Sequence, residues 1–121
     1  MIMRQILIAE DEAMLRAIAV EMLEDAGFQV FQAADGEEAL LLLKQNPGIT
    51  LLVSDVKMPR MDGYALVQAG LEFKPDLKIL MMTGYAQDPP PDLIREQKIE
   101  TLRKPFNLDR LCELADAMTS A

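Results

Sequence analysis

Short apolar runs alternate with helix-period segments along the chain. Ile6-Leu7-Ile8-Ala9 is the first run, and the polar Glu10-Asp11-Glu12 follows it. From Glu12 the period changes. Leu15, Ile18, Met22 and Leu23 fall at i, i+3, i+7 and i+8, one face of a helix, and Gly27 stands where a C-terminal glycine belongs. Phe28–Phe31 reads as a second strand. Asp35 is a candidate N-cap for a helix that runs through Ala39–Lys44 and stops before Pro47. Leu51-Leu52-Val53 predicts a third strand ending at Ser54-Asp55, Met58–Gly63 a loop, and Tyr64–Phe73 a third helix. Lys78–Met82 predicts a fourth strand ending at Thr83-Gly84. The prolines at 89, 90 and 91 forbid helix at first, so a fourth helix is short, from about Pro91 to Gln97. Ile99–Arg103 predicts a fifth strand ending at Lys104-Pro105. Asn107 then caps a last helix in which Leu108, Leu111, Cys112 and Ala115 repeat at helical spacing.

Five strands alternating with five helices predict an α/β fold. Short, nearly continuous apolar strands imply a parallel sheet covered on both faces. Right-handed crossovers make this a doubly wound three-layer α/β/α sandwich, whose ligands sit at the carboxyl ends of the strands. The length of 121 residues fits one domain, 1–121, with its core over about 4–118 and no output domain in the chain. A domain of this size buries roughly two thirds of its unfolded surface and needs no disulfide or structural zinc.

Charge and composition narrow the function. Twelve basic and 20 acidic residues leave a net charge of −8, and the pI is near 4.4. Direct binding to nucleic acid or to an anionic membrane surface is disfavoured. No apolar run approaches the ~20 residues of a membrane span, and Met1–Arg4 leads straight into a strand-like run, which does not read as a signal peptide. Cys112 is the only cysteine, so no intramolecular disulfide can form and a reducing cytoplasm fits. Its place on the apolar face of the last helix reads as an inert core thiol. The nine methionines read as adaptable core filler. With no histidine, Ser-His-Asp and Cys-His catalysis and His-ligated zinc are excluded within the chain.

The polar residues at the strand ends carry the chemistry. The first strand delivers Glu10 and Asp11, the third Asp55, the fourth Thr83 and the fifth Lys104. Clustered carboxylates repel one another, and Mg²⁺, a hard cation that prefers oxygen ligands, relieves this. One carboxylate can then act as the nucleophile on a phosphoryl group, giving an aspartyl phosphate. A lysine and the metal neutralise charge on the transferring group, and a threonine hydroxyl can donate to it.

Glu10-Asp11, Asp55, Met58-Pro59 with Met61-Asp62-Gly63, Thr83-Gly84 and Lys104-Pro105-Phe106, in this order and each at a predicted strand end, together resemble the receiver domain of two-component response regulators. The likeness runs from about Ile6 to Met118. It implies a flavodoxin-like sheet of order 2-1-3-4-5. It implies Asp55 as phosphoacceptor, Asp11 as a direct Mg²⁺ ligand, Glu10 as a ligand through water, and the backbone carbonyl of Lys57 completing the metal site. Thr83 would bind the phosphoryl group and Lys104 would pair with it. A cis Lys104–Pro105 peptide is implied as well. The partners implied are a sensor histidine kinase or a histidine phosphotransfer protein, and a downstream protein docking on the face formed by the fourth helix, fifth strand and last helix. A monomer or weak dimer is expected, with Mg²⁺-dependent self-phosphorylation from small donors and self-dephosphorylation as its only chemistry.

Three contexts fit these features: a stand-alone phosphorylation switch or relay intermediate, a receiver module cut from a hybrid histidine kinase or larger regulator, and a small phosphatase working through an aspartyl intermediate. The last is disfavoured because Asp55-Val56-Lys57 puts no second acid two residues after the nucleophile. A nucleotide-binding flavodoxin-type module is disfavoured because Ala9-Glu10-Asp11 stands where a glycine-rich loop would be needed.

The chain departs from the family pattern at Thr101, where many members carry an aromatic that changes rotamer on activation. Tyr85 is the nearest available aromatic, and Lys57 and Tyr85 occupy positions that help set the rate of phosphoryl loss in the family. A ring beside the site hinders attacking water. Tyr85→Ala is therefore expected to shorten the lifetime of the phosphorylated protein, measured as the decay of the adduct by intact mass; equal lifetimes for the two proteins contradict this role.

Overall fold

The computed structural model describes residues 3–83, 99–103 and 107–120. The elements run β1 (Gln5–Ala9), α1 (Ala13–Asp25), β2 (Gln29–Ala33), α2 (Gly36–Gln45), β3 (Ile49–Asp55), α3 (Gly63–Phe73), β4 (Lys78–Thr83), β5 (Ile99–Arg103) and α4 (Leu108–Thr119). The short helix expected near Pro91–Gln97 lies outside the described residues. All strand pairs are parallel, and the sheet order is β2-β1-β3-β4-β5, as expected.

The three central strands explain the layers. Successive side chains point to opposite faces, so a strand covered on both sides must be apolar at every position. Leu7 and Ala9 of β1, Leu52 of β3, and Ile79 and Met81 of β4 pack with Ala39 and Leu43 of α2 and Leu66, Val67 and Leu71 of α3. Ile6 and Ile8, Leu51 and Val53, and Leu80 and Met82 point the other way, toward Ala19, Val20 and Leu23 of α1 and Leu111 and Ala115 of α4. The outer strands β2 and β5 interleave exposed Gln29, Gln32, Glu100, Thr101 and Arg103 with half-buried residues, since each has a neighbour on one side only.

Three local readings are corrected. Ile18 is not on the buried stripe of α1. It is 43% exposed, and Ala19 and Val20 face the sheet beside Leu23. Phe28 precedes β2 and closes the end of α1. The Phe28 amide donates to the Leu23 carbonyl at 3.1 Å and the Gly27 amide to that of Glu24 at 3.0 Å, the paired bonds of a Schellman motif. Leu23 and Phe28 share the core cluster beneath that end. Asp35 and Asn107 cap α2 and α4 as expected, accepting from the amides of Glu38 at 2.9 Å and Asp109 at 2.8 Å. Cys112 is half-buried, not a full core residue. Burial, and secondarily the charge of Asp109, push its thiol pKa up, so it remains a protonated thiol.

Gly27 has φ +99°, and no atom lies within 4 Å of a Cβ placed there. The demand at this position is conformational and not steric. Gly27→Ala is expected to cost about 1–2 kcal/mol, and Gly27→Asn less, because asparagine tolerates the left-handed region. Urea unfolding checks this: the midpoint should fall in that order with the slope unchanged.

Candidate functional site

The pairing of β1 with β2 continues one residue past the strand. The Glu10 amide donates to the Ala33 carbonyl at 3.0 Å, so Glu10 is fully buried at the sheet rim. Its carboxylate accepts from the Glu12 amide at 3.1 Å. Arg16, one turn into α1, donates to the Glu10 carbonyl at 2.8 Å and to Gln32 Oε1 at 3.2 Å. The β1–α1 connection is thereby tied to both its strand and its helix. Asp11, between these ties, is exposed.

Asp55 ends β3, opposite Met82 of β4, and is 7% exposed. The next residue is fixed twice: the Val56 amide donates to Met82 at 3.2 Å, and its carbonyl accepts from the Gly63 amide at 2.8 Å. Gly63 starts α3, and a Cβ there would strike the Asp55 carbonyl oxygen, so only glycine lets the helix approach this close. Asp62 caps the same helix, accepting from the Ala65 amide at 2.8 Å. The buried Ser54 hydroxyl donates to the Asp55 carbonyl at 2.9 Å.

One carboxylate oxygen from each of Glu10, Asp11 and Asp55 lies within 4.8 Å of the others. The donor set is all oxygen, two of the three groups are buried, and buried anions need a compensating charge. These residues fit a divalent cation. Met58 and Met61, in the loop after Asp55, are half-buried against the core beneath α2 and α3. Lys57 is exposed in the same loop.

The sheet register carries the backbone of Thr83 to the same rim, one residue beyond the Asp55–Met82 pair. Thr101 stands exposed in β5 beside Met81. Tyr85, Lys104, Pro105 and the Lys104–Pro105 peptide lie outside the described residues. Sequence reasoning missed Arg16, which reads as one more surface cation on α1. It also missed an ion pair between Asp35 and Arg60, which joins the β3–α3 loop to α2 at 3.4 Å.

The family model for the response regulator receiver domain matches residues 6–116. The chain is 38% identical over 122 residues to the response regulator receiver protein CpdR of Brucella abortus (strain 2308), covering 98% of this chain and 99% of that protein. It is 36% identical to the sensor kinase CckA of the same organism over 93% of this chain, which is 12% of that protein. Among solved structures, a receiver domain from the hybrid histidine kinase CckA superposes with a TM-score of 0.83 at 32% identity, covering 96% of this chain and 99% of that one.

The acid cluster predicts a thermal response. Mg²⁺ at a hundredfold excess over its Kd should stabilise the fold by about 2.7 kcal/mol, seen as a rise in melting temperature. Asp11→Ala should abolish the rise and, by removing one of three clustered like charges, should melt higher than wild type in the absence of cation. An equal Mg²⁺ shift in both proteins contradicts the site.

Proposed function

The chain belongs to the response regulator receiver family of two-component systems, and on that footing we propose that Asp55 is its phosphoacceptor and that Glu10, Asp11, Asp55 and the Lys57 carbonyl hold Mg²⁺. One observation carries the reading: an aspartate at the end of a central strand, 7% exposed, has two further carboxylates within 4.8 Å. Such a cluster has no packing purpose.

In the transfer step a carboxylate oxygen of Asp55 attacks phosphorus. The bond from phosphorus to the donor breaks, and the donor departs with the electron pair, leaving an acyl phosphate on Asp55. When bound, Mg²⁺ neutralises the carboxylates and the oxygens of the transferring group. Asp11 is exposed and can rotate onto the cation directly. Glu10 is committed to the Glu12 amide through one oxygen, which suits contact through a water. Thr83 and Lys104 are the residues proposed to receive the phosphoryl oxygens, by a hydroxyl donor and by an ammonium charge.

The output is a change in protein contacts and not a turnover reaction, with self-dephosphorylation ending the signal. The residue two after Asp55 is the exposed Lys57 and not a second acid, which disfavours a phosphatase cycle. The donor is a sensor histidine kinase or histidine phosphotransfer protein, and the face carrying β5 and α4 takes the downstream partner. No helix among the described residues is long and apolar enough to cross a membrane, and cytoplasmic action fits the lone cysteine.

Intact-mass spectrometry after incubation with acetyl phosphate tests the reading. Wild type should gain one phosphoryl group in Mg²⁺ and none without it, and Asp55→Asn should gain none. An adduct that survives Asp55→Asn at full yield overturns the assignment.

A further inference from the structure

Arg60 has a backbone φ of +70°, the only non-glycine value of that sign among the described residues. An arginine has no intrinsic preference for this region and stays there only where its surroundings hold it. Two contacts do so. Arg60 Nη1 lies 3.4 Å from Asp35 Oδ2; the Asp35 side chain is 12% exposed and that of Arg60 67%. Asp35 Oδ1 meanwhile accepts from the Glu38 amide at 2.9 Å, so one carboxylate both caps α2 and receives the loop. The next residue, Met61, rests its carbonyl oxygen where a Cβ on Gly36 would stand. Its amide donates to the Pro59 carbonyl at 2.8 Å, tightening the corner.

The far end of the β3–α3 loop is thus seated on the first turn of α2. Its near end is fixed by the two hydrogen bonds of Val56. Lys57 lies between these anchors, two residues after Asp55. We propose that Arg60 and Asp35 are positioning residues, whose ion pair clamps the β3–α3 loop to α2 and sets the Lys57 backbone from which a cation beside Asp55 takes a carbonyl ligand. The proposal rests on the preceding functional reading for that carbonyl ligand.

The sign of one effect separates a clamp from a bystander charge. Arg60 is a cation on the loop that follows an acidic cluster. If it acted only through its charge, its removal would tighten binding of a divalent cation. If it holds the loop, its removal weakens binding. Asp35→Asn breaks the ion pair and keeps an N-cap, because asparagine caps about as well as aspartate.

Calorimetric titration of Mg²⁺ into wild type, Arg60→Ala, Arg60→Lys, Asp35→Asn and the Asp35→Asn/Arg60→Ala double variant tests this. Arg60→Ala and Asp35→Asn should each raise Kd about three- to tenfold, at or below the roughly tenfold floor for residues that orient a metal ligand, because the Arg60 side chain is largely exposed. The double variant should bind no more weakly than the weaker single, since both remove one interaction. Arg60→Lys should recover most of the affinity. In metal-free protein, the amide resonances of Lys57, Met58, Arg60 and Met61 should shift in Asp35→Asn while those of β1 stay in place. Tighter or unchanged binding in Arg60→Ala, or losses that add in the double variant, overturn the clamp. A wild type that takes no Mg²⁺, or an Asp11→Ala protein that binds as well as wild type, overturns the underlying metal site instead.

Discussion

Repulsion among Glu10, Asp11 and Asp55 is the force the rest of the molecule must withstand. Two like charges ~5 Å apart repel by about 3 kcal/mol at an effective dielectric of ~20, and here three carboxylates stand within 4.8 Å. Left to themselves the side chains would splay into solvent. Two cannot, because Glu10 and Asp55 are buried at the ends of neighbouring strands, β1 and β3. The apolar residues beneath them, Ile8 and Ala9 on one strand and Val53 on the other, are fully buried. Moving either carboxylate away would drag that core out of register. Hydrophobic burial thereby holds the carboxylates together at the rim, where a divalent cation would offset their charge.

The backbone around Asp55 shows how tightly this residue is held. Val56 is bonded to β4 on one side and to the first residue of α3 on the other. Gly63 brings α3 against the Asp55 carbonyl at a separation no side chain permits. Asp55 is therefore fixed by its strand, the strand beside it and the helix after it. On the other carboxylate strand, Arg16 does corresponding work by bonding the Glu10 carbonyl.

Much of this was legible from residue order. A carboxylate ending a run as apolar as Leu51-Leu52-Val53 has no packing reason to be there, so Asp55 stood out, and the same argument picked out Glu10. The central strands were legible because both faces demand apolar residues. Helix faces were less so. Ile18 fits the apolar period of α1 yet is 43% exposed, because Ala19, Val20 and Leu23 make the face that packs on the sheet. Phe28 looked like strand because it is aromatic and apolar, but its apolarity serves the closure of α1. The Asp35–Arg60 pair was not legible. Nothing local marks an arginine as left-handed, and the two residues meet only because α2 and α3 share one face of the sheet.

The three carboxylates are consequently not equivalent. Glu10 is held by strand pairing, by Arg16 and by the Glu12 amide. Asp55 is held by β4 and α3. Asp11 is exposed in a connection tied only through its neighbours. A buried pair of anions defines where a cation would sit, and the exposed third can turn toward it. This division suits a site that has to bind and release. A cage with three buried, fixed carboxylates would carry their full mutual repulsion whenever it stood empty, whereas Asp11 can relax its share into solvent. The same logic places the adjustable elements of the site in the loops and the unyielding ones on the strands. The β3–α3 loop then needs its own anchor, which the first turn of α2 supplies.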